Sequence, residues 1–294
     1  MKIEVLSEKI LFRLKDIFCN KGWEIDDCDN YTIFNRFCSR LAELKTDEER
    51  EFILELTEDY LWVKLEDYER YLKRSFDLYI NNIGGELEDT IYAIPMWDVS
   101  CSLEMNHTKS GDALCYILQS CSIRTRQWAD EKRIRIIASS SSLDILSNSN
   151  NYVLLIDDYI GSGDTAIGCL EVIKEYVTDL SRISVLSIVA QKEGINNIKK
   201  VYNDVTIYSA EIRSRAISDR YEKSEVEEKI CSMKNISKQI GACKKYYLGY
   251  NNTEGLVSMI KTPNNTFPFF WYENGKHNKR TRAPFPRRGN IGYE

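Results

Sequence analysis

No C-x-x-C pair occurs among the nine cysteines of this 294-residue chain, and only two histidines accompany them. Zinc ligation and a disulfide framework are therefore poor readings, and reduced thiols in a cytoplasm are the expectation. No uninterrupted run of about 18 apolar residues occurs, so no membrane partner is expected. The opening stretch MKIEVLSEKILFRLKDIF interleaves charges with apolar residues and lacks the apolar core of a secretory signal. Neither a Walker A lysine loop nor a G-x-G-x-x-G turn is present, and no internal repeat or low-complexity tract appears.

What is present suits a folded enzyme-sized chain. Hydrophobic residues make up 43% of the sequence, ample for a core. The net charge of −5 argues against a surface that coats nucleic acid generally. That charge is unevenly spread. Residues 1–88 hold 13 Lys/Arg against 21 Asp/Glu, whereas 272–294 hold six basic residues against two acidic ones. The acidic front is either solvated surface or a unit that docks a protein partner. The basic tail, GKHNKRTRAPFPRR, is either solvated or an arm for nucleic acid.

Residues 1–88 read as helices. Ile10, Leu11, Leu14, Ile17 and Phe18 share a face after Ser7, a second helix covers Tyr31 to Leu44, and Thr46 with Glu49 forms a capping-box pattern. The helical spacing resumes through EDYERYLKRSFDLYI and breaks at Gly84-Gly85. From residue 89 the pattern alternates. TIYAIP, RIRIIAS, YVLLID, ISVLSIVA and VTIYSAEI read as strands, SGDALCYILQ and DTAIGCLEVIKEYV as helices between them, and SEVEEKICSMKNISKQIGA as a later helix. That alternation predicts an α/β fold with a doubly wound parallel sheet behind an N-terminal helical extension.

The chemistry concentrates in YVLLIDDYIGSGDTA, residues 152–166. An apolar strand delivers Asp157 and Asp158 to the carboxyl edge of the sheet, where open α/β folds bind ligands. The loop that follows, Tyr159, Ile160, Gly161, Ser162, Gly163, Asp164 and Thr165, feeds a helix start. Its amides and the hydroxyls of Ser162 and Thr165 suit a phosphate dianion, with the glycines allowing close approach. The two acids suit sugar hydroxyls, and one suits a hydrated Mg2+ ion. A ribose 5-phosphate satisfies both halves.

This stretch resembles the signature of the type I phosphoribosyltransferases: an apolar strand, two acids, then a Gly/Ser/Thr phosphate loop. The resemblance covers about residues 89–272 and implies 5-phosphoribosyl 1-pyrophosphate with Mg2+ as substrate, with displacement of pyrophosphate at ribose C1 by a base nitrogen. It assigns the ribose hydroxyls to Asp157 and Asp158. It also implies a pyrophosphate loop after TIYAIP, which Lys109, Ser110 and Gly111 would supply; a simple helix cap at Ser110 is the alternative. Two departures stand out. Many purine-using members carry an acid where this chain has Gly161, and Asp164 sets a negative charge in the phosphate loop, where it also suits the helix dipole.

The segment GYNNTEGLVSMIKTPNNTFPFFWY, residues 249–272, concentrates Phe267, Phe269, Phe270, Trp271 and Tyr272 among Asn and Pro turns. These rings are either core packing or a hood that stacks an acceptor base. Together with the phosphate loop, the segment resembles the phosphoribosyltransferase-like proteins of bacterial conflict systems, some carried in retron-type antiviral cassettes. That resemblance implies a defence setting, with the basic tail as the contact to nucleic acid or a reverse-transcriptase complex. The organisation expected is thus 1–88 helical extension, 89–272 phosphoribosyltransferase-like domain, and 273–294 basic tail.

Overall fold

The computed structural model describes residues 6–26, 31–83, 90–99, 110–125, 133–138, 140–148, 151–273 and 282–287. Lys109 and most of the 273–294 tail lie outside these residues. The chain forms two compact units, Met1–Val63 with Ser214–Glu294, and Lys64–Arg213. These boundaries differ from the three segments expected. The last helix of the acidic front belongs with the sheet, and residues after 213 return to the first three helices.

In the first unit, helices Glu8–Lys21, Ile33–Ala42 and Asp47–Glu58 come from the N-terminal part. Lys223–Gln239 and the single turn Pro268–Trp271 come from the C-terminal part. Thr46 caps as its spacing predicts, its hydroxyl accepting the Glu49 N–H at 3.3 Å. The Glu49 carboxylate reaches back to the Lys45 N–H at 3.0 Å, one residue beyond the expected box partner. Ser7 occupies its N-cap position without a side-chain bond. The apolar faces of the first three helices close over an aromatic core. Phe267, Phe269 and Phe270 are fully buried in it, Tyr60 lies 4.4 Å from Phe270, and Phe285 stacks on Tyr60 at 5.1 Å. Burying each such ring is worth about 2 kcal/mol or more. These three phenylalanines are core.

The second unit is built on five parallel strands: β1 Thr90–Pro95, β2 Arg133–Ile136, β3 Tyr152–Ile160, β4 Ile183–Gln191 and β5 Thr206–Arg213. Their spatial order is β2-β1-β3-β4-β5. β4 is buried at every position, as an apolar run between two helical layers requires. The β1→β2 connection runs one way across the sheet, whereas β3→β4 and β4→β5 run the other. Right-handed crossovers therefore put Ser110–Ile117 on one face and Asp164–Ile173 with Lys192–Val201 on the opposite face. Helix Tyr68–Asn82 packs on β4 and β5 and touches Ser110–Ile117, joining that first face. The strand order reverses between β1 and β3, and the carboxyl ends there frame the crevice where such sheets take ligands.

Candidate functional site

β3 runs further than its apolar core suggests. Asp157, Asp158, Tyr159 and Ile160 are all strand residues, and the turn proper is only Gly161-Ser162-Gly163. Tyr159 and Ile160, expected in the phosphate loop, thus belong to the sheet. Ile160 is buried in the core of this unit. Burial holds the Tyr159 phenol well above its ordinary range, and Gln191 stands beside it without closing a hydrogen bond. Ending the strand one turn later aims the two acids from a rigid element rather than from a loop.

The acids have different surroundings. Asp158 is buried, and its Oδ2 accepts the Tyr68 hydroxyl at 2.7 Å. Burial pushes its carboxyl above the usual range, against the pull of the hydrogen bond from Tyr68. Asp157 is half-buried. Its Oδ1 accepts the hydroxyl of Ser110 and the Asp158 N–H, the latter at 2.9 Å. Of the pair, Asp157 is the one that offers an accessible carboxylate.

Ser110 opens its helix by holding Asp157. Gly111 sits where any Cβ would come within 2.6 Å of the Ile156 carbonyl and 3.0 Å of Pro95, so it lets this helix press against the ends of β1 and β3. The structure therefore brings Ser110 and Gly111 to the acids at the switch point. Lys109, the cation expected beside them, lies outside the described residues.

The turn is seated from behind. Gly163 has φ +90°, which a side chain rarely adopts, and a Cβ there would meet the Gly194 carbonyl at 2.8 Å. The reverse contact is tighter, a Cβ on Gly194 falling 2.3 Å from the Gly161 carbonyl. Asn197 Nδ2 donates to the Ser162 carbonyl at 3.1 Å. Gly161, Ser162 and Gly163 are consequently buried, while Asp164 and Thr165 are exposed at the first turn of the ten-residue helix. No side chain caps that helix. Its leading amides carry the positive end of the macrodipole, which suits both Asp164 and an anion. After β1, the Trp97 N–H donates to Cys169 Sγ at 3.4 Å and its carbonyl accepts the thiol at 3.2 Å, tying the β1 loop to the same helix.

Sequence reasoning did not find Tyr68, Gly194, Asn197 or Trp97. Gly194 and Asn197 lie on a helix whose glycine and paired asparagines weaken its helical pattern. Tyr68 reads as one apolar position of an amphipathic helix 90 residues from its partner. Among the described residues, no cluster of three or more His, Cys, Asp or Glu is arranged to hold a metal by protein ligands alone.

An anion-suited turn and paired acids thus meet at the sheet's switch point. The sequence matches the PRTase-CE family over residues 96–287, well over half its length. The chain belongs to the PRTase-CE family. It is a type I phosphoribosyltransferase-like protein. This PRTase-CE protein also shares 34% identity over 73 residues with uracil phosphoribosyltransferase of Mycoplasma genitalium, a stretch covering 25% of this chain and 34% of that relative. The match thus spans about a third of the curated relative's length. Among solved structures it resembles a hypothetical protein from Neisseria gonorrhoeae with bound ppGpp, at 16% identity over 57% of this chain and 93% of that one, TM-score 0.34. It also resembles APRTase from Giardia lamblia complexed with 9-deazaadenine, at 11% identity over 48% and 77%, TM-score 0.31. No helix among the described residues is long and apolar enough to cross a membrane.

Proposed function

We propose that this PRTase-CE protein binds 5-phosphoribosyl 1-pyrophosphate and transfers its phosphoribosyl group to a nucleobase, nucleotide or nucleic-acid acceptor. The observation that carries this is the continuity of one short segment: a carboxylate braced by Ser110, then a glycine-built turn, then an uncapped helix start. The 5-phosphate sits at the leading amides of helix Asp164–Ile173, with Thr165 at the exposed rim. Asp157 accepts the ribose hydroxyls, and Asp158, fixed by Tyr68, holds the strand end behind it.

In the reaction the C1–O bond to pyrophosphate breaks, its electron pair leaving with pyrophosphate, and a C1–N bond forms to the acceptor nitrogen. Charge develops on the ring and on the leaving group, so catalysis rests on positioning and electrostatics. Gly161 supplies no acid or base, so the acceptor's proton passes to a group outside the loop or to water. The donor set fits magnesium, an ion that takes one or two carboxylates together with substrate oxygens. Asp157 is the residue that would hold it, and the ion would neutralise charge on the departing pyrophosphate.

The deciding experiment incubates the protein with phosphoribosyl pyrophosphate labelled in the ribose, Mg2+ and cell extract. Pyrophosphate release with label transfer is expected, and its loss in Asp157→Asn. Absence of binding to any phosphorylated ribose removes the reading altogether. The burial of Gly161–Gly163 and the missing acid favour a second reading, a sensor that binds a phosphorylated ribose without turnover and signals to a partner. Calorimetric binding with no pyrophosphate release selects it. The cellular setting we propose is bacterial antiviral defence, which a phage-challenge assay of the Asp157→Asn variant tests.

A further inference from the structure

The first unit carries its own pocket, about 270 Å3 in volume. Tyr246 and Tyr272, both partly exposed, line it, with Trp271 buried behind them. The three rings brace each other, Tyr246 meeting Trp271 edge-on at 5.2 Å and Trp271 lying 5.4 Å from Tyr272 at 66°. The Trp271 indole N–H donates to the Thr266 carbonyl at 2.7 Å, so its one polar group is already satisfied. What this corner offers a ligand is fixed π surface.

Two cations stand at the same pocket. Lys245 is exposed, its ammonium 4.8 Å from the Tyr246 ring centre. The Arg287 guanidinium is anchored by donating to the Thr262 carbonyl at 2.9 Å. The acid there, Glu273, is engaged: its Oε1 accepts the Ala283 N–H at 3.0 Å and faces Arg36 at 3.9 Å. The rings alone would suit a quaternary ammonium ligand. Among the described residues that line the pocket, Lys245 and Arg287 are cationic and Glu273 is the acid, a lining that does not favour that ligand. A neutral aromatic would leave the cations unused, and inorganic phosphate would leave the rings unused.

We propose that this pocket binds a nucleotide, its base against Tyr246 and Tyr272, which Trp271 braces from behind, and its phosphate toward Lys245 and Arg287. The volume suits one nucleotide and not a run of stacked bases; the small-molecule sites of proteins begin near this size, at about 300 Å3. The nucleotide is either free or the phosphorylated end of a single strand, since both present the same base-plus-phosphate chemistry. Every residue involved belongs to the first unit, so the proposal does not rest on phosphoribose binding by the sheet.

The test is calorimetry of the full chain with AMP, CMP, GMP and UMP, with adenosine, and with a 5′-phosphorylated ten-nucleotide strand. We expect saturable binding of at least one monophosphate, with the nucleoside about tenfold weaker or worse. Lys245→Glu and Arg287→Glu should each weaken binding by about the same factor. Lys245 is exposed, so its variant keeps the wild-type melting temperature. In Asp157→Asn the component of nucleotide binding that Lys245→Glu weakens should persist, which separates failure here from failure of the phosphoribose reading. A strand that binds more tightly than the monophosphate identifies a strand end as the source; equal or weaker binding identifies the free nucleotide. The proposal falls if no monophosphate binds up to millimolar concentration, if both charge reversals leave binding unchanged, if Asp157→Asn abolishes it, or if choline binds in place of nucleotide.

Discussion

The Tyr68 hydroxyl donates to Asp158 Oδ2 at 2.7 Å, and both residues are buried. The bond crosses from a helix that precedes the matched family region to the strand that ends in the candidate site. Removing the hydroxyl leaves a buried carboxyl oxygen unsatisfied, which costs about 1–3 kcal/mol. Tyr68→Phe should lower stability by that amount in urea unfolding. In a double-mutant cycle with Asp158→Asn the two effects should be non-additive. Additivity within measurement error would show that the bond does not hold the strand end.

The same carboxyl gives a pH signature. Burial, the dominant influence, raises the folded-state pKa of Asp158 above its unfolded value. Between those two values the folded state binds more protons than the unfolded one, so Asp158's contribution to stability falls as pH rises through that window. Asn cannot titrate. The stability of Asp158→Asn relative to wild type should therefore improve steadily as pH rises through that window and level off above it. A flat difference across the window would contradict the raised value.

Gly194 faces the Gly161 carbonyl with no room between them. A methyl group at Gly194 would lie 2.3 Å from that oxygen, a contact that only backbone movement relieves. Gly194→Ala should therefore lower the melting temperature and displace the turn, weakening phosphoribosyl pyrophosphate binding in calorimetry. Gly163→Ala adds strain at φ +90°, of order 1–3 kcal/mol. An exposed control on the same helix, Lys200→Ala, should change neither quantity. If Gly194→Ala is as stable as wild type, the turn is not seated on this helix as described.

The apolar run of β3 and the Gly-Ser-Gly turn were legible because a doubly covered parallel strand admits little but apolar residues, and a tight turn little but glycine. The strand's extension through Ile160 was not, because adjacent acids look like the end of a strand unless the Tyr68 partner is known. The helix Lys192–Val201 was hidden by Gly194, present for close packing rather than for helix formation. The apolar stripes of the first three helices were visible, but not what covers them. That cover comes from Phe269, Phe270 and Phe285, more than 200 residues along the chain, and no local pattern signals so distant a contact. The same distance hid the division at Val63, since the helix after it continues the amphipathic spacing of those before.

Ser110 tests whether Asp157 must be held in place. Its hydroxyl bonds the carboxylate of a half-buried residue, so solvent can replace much of what Ser110→Ala removes, and the stability loss should stay near about 1 kcal/mol. Ligand affinity should fall more steeply, because an Asp157 that samples other rotamers loses its preorganisation. Ser110→Thr keeps the hydroxyl and should recover most of the affinity. Equal binding by the Ala variant and wild type would make this bond structural only.

Phe270 separates the two roles its segment could play. It is fully buried, 4.4 Å from Tyr60 and 6.1 Å from Phe37. Truncating a ring so enclosed leaves a cavity and costs about 3–5 kcal/mol. A ring that served a hood would instead be open to its ligand, and its loss would weaken acceptor binding with little change in stability. Phe270→Ala should therefore shift the unfolding midpoint strongly, whereas Tyr272→Ala, at a half-buried ring of the aromatic pocket, should shift it weakly and reduce nucleotide binding. The reverse pattern would assign Phe270 to ligand contact and return the aromatic segment to the role of a hood.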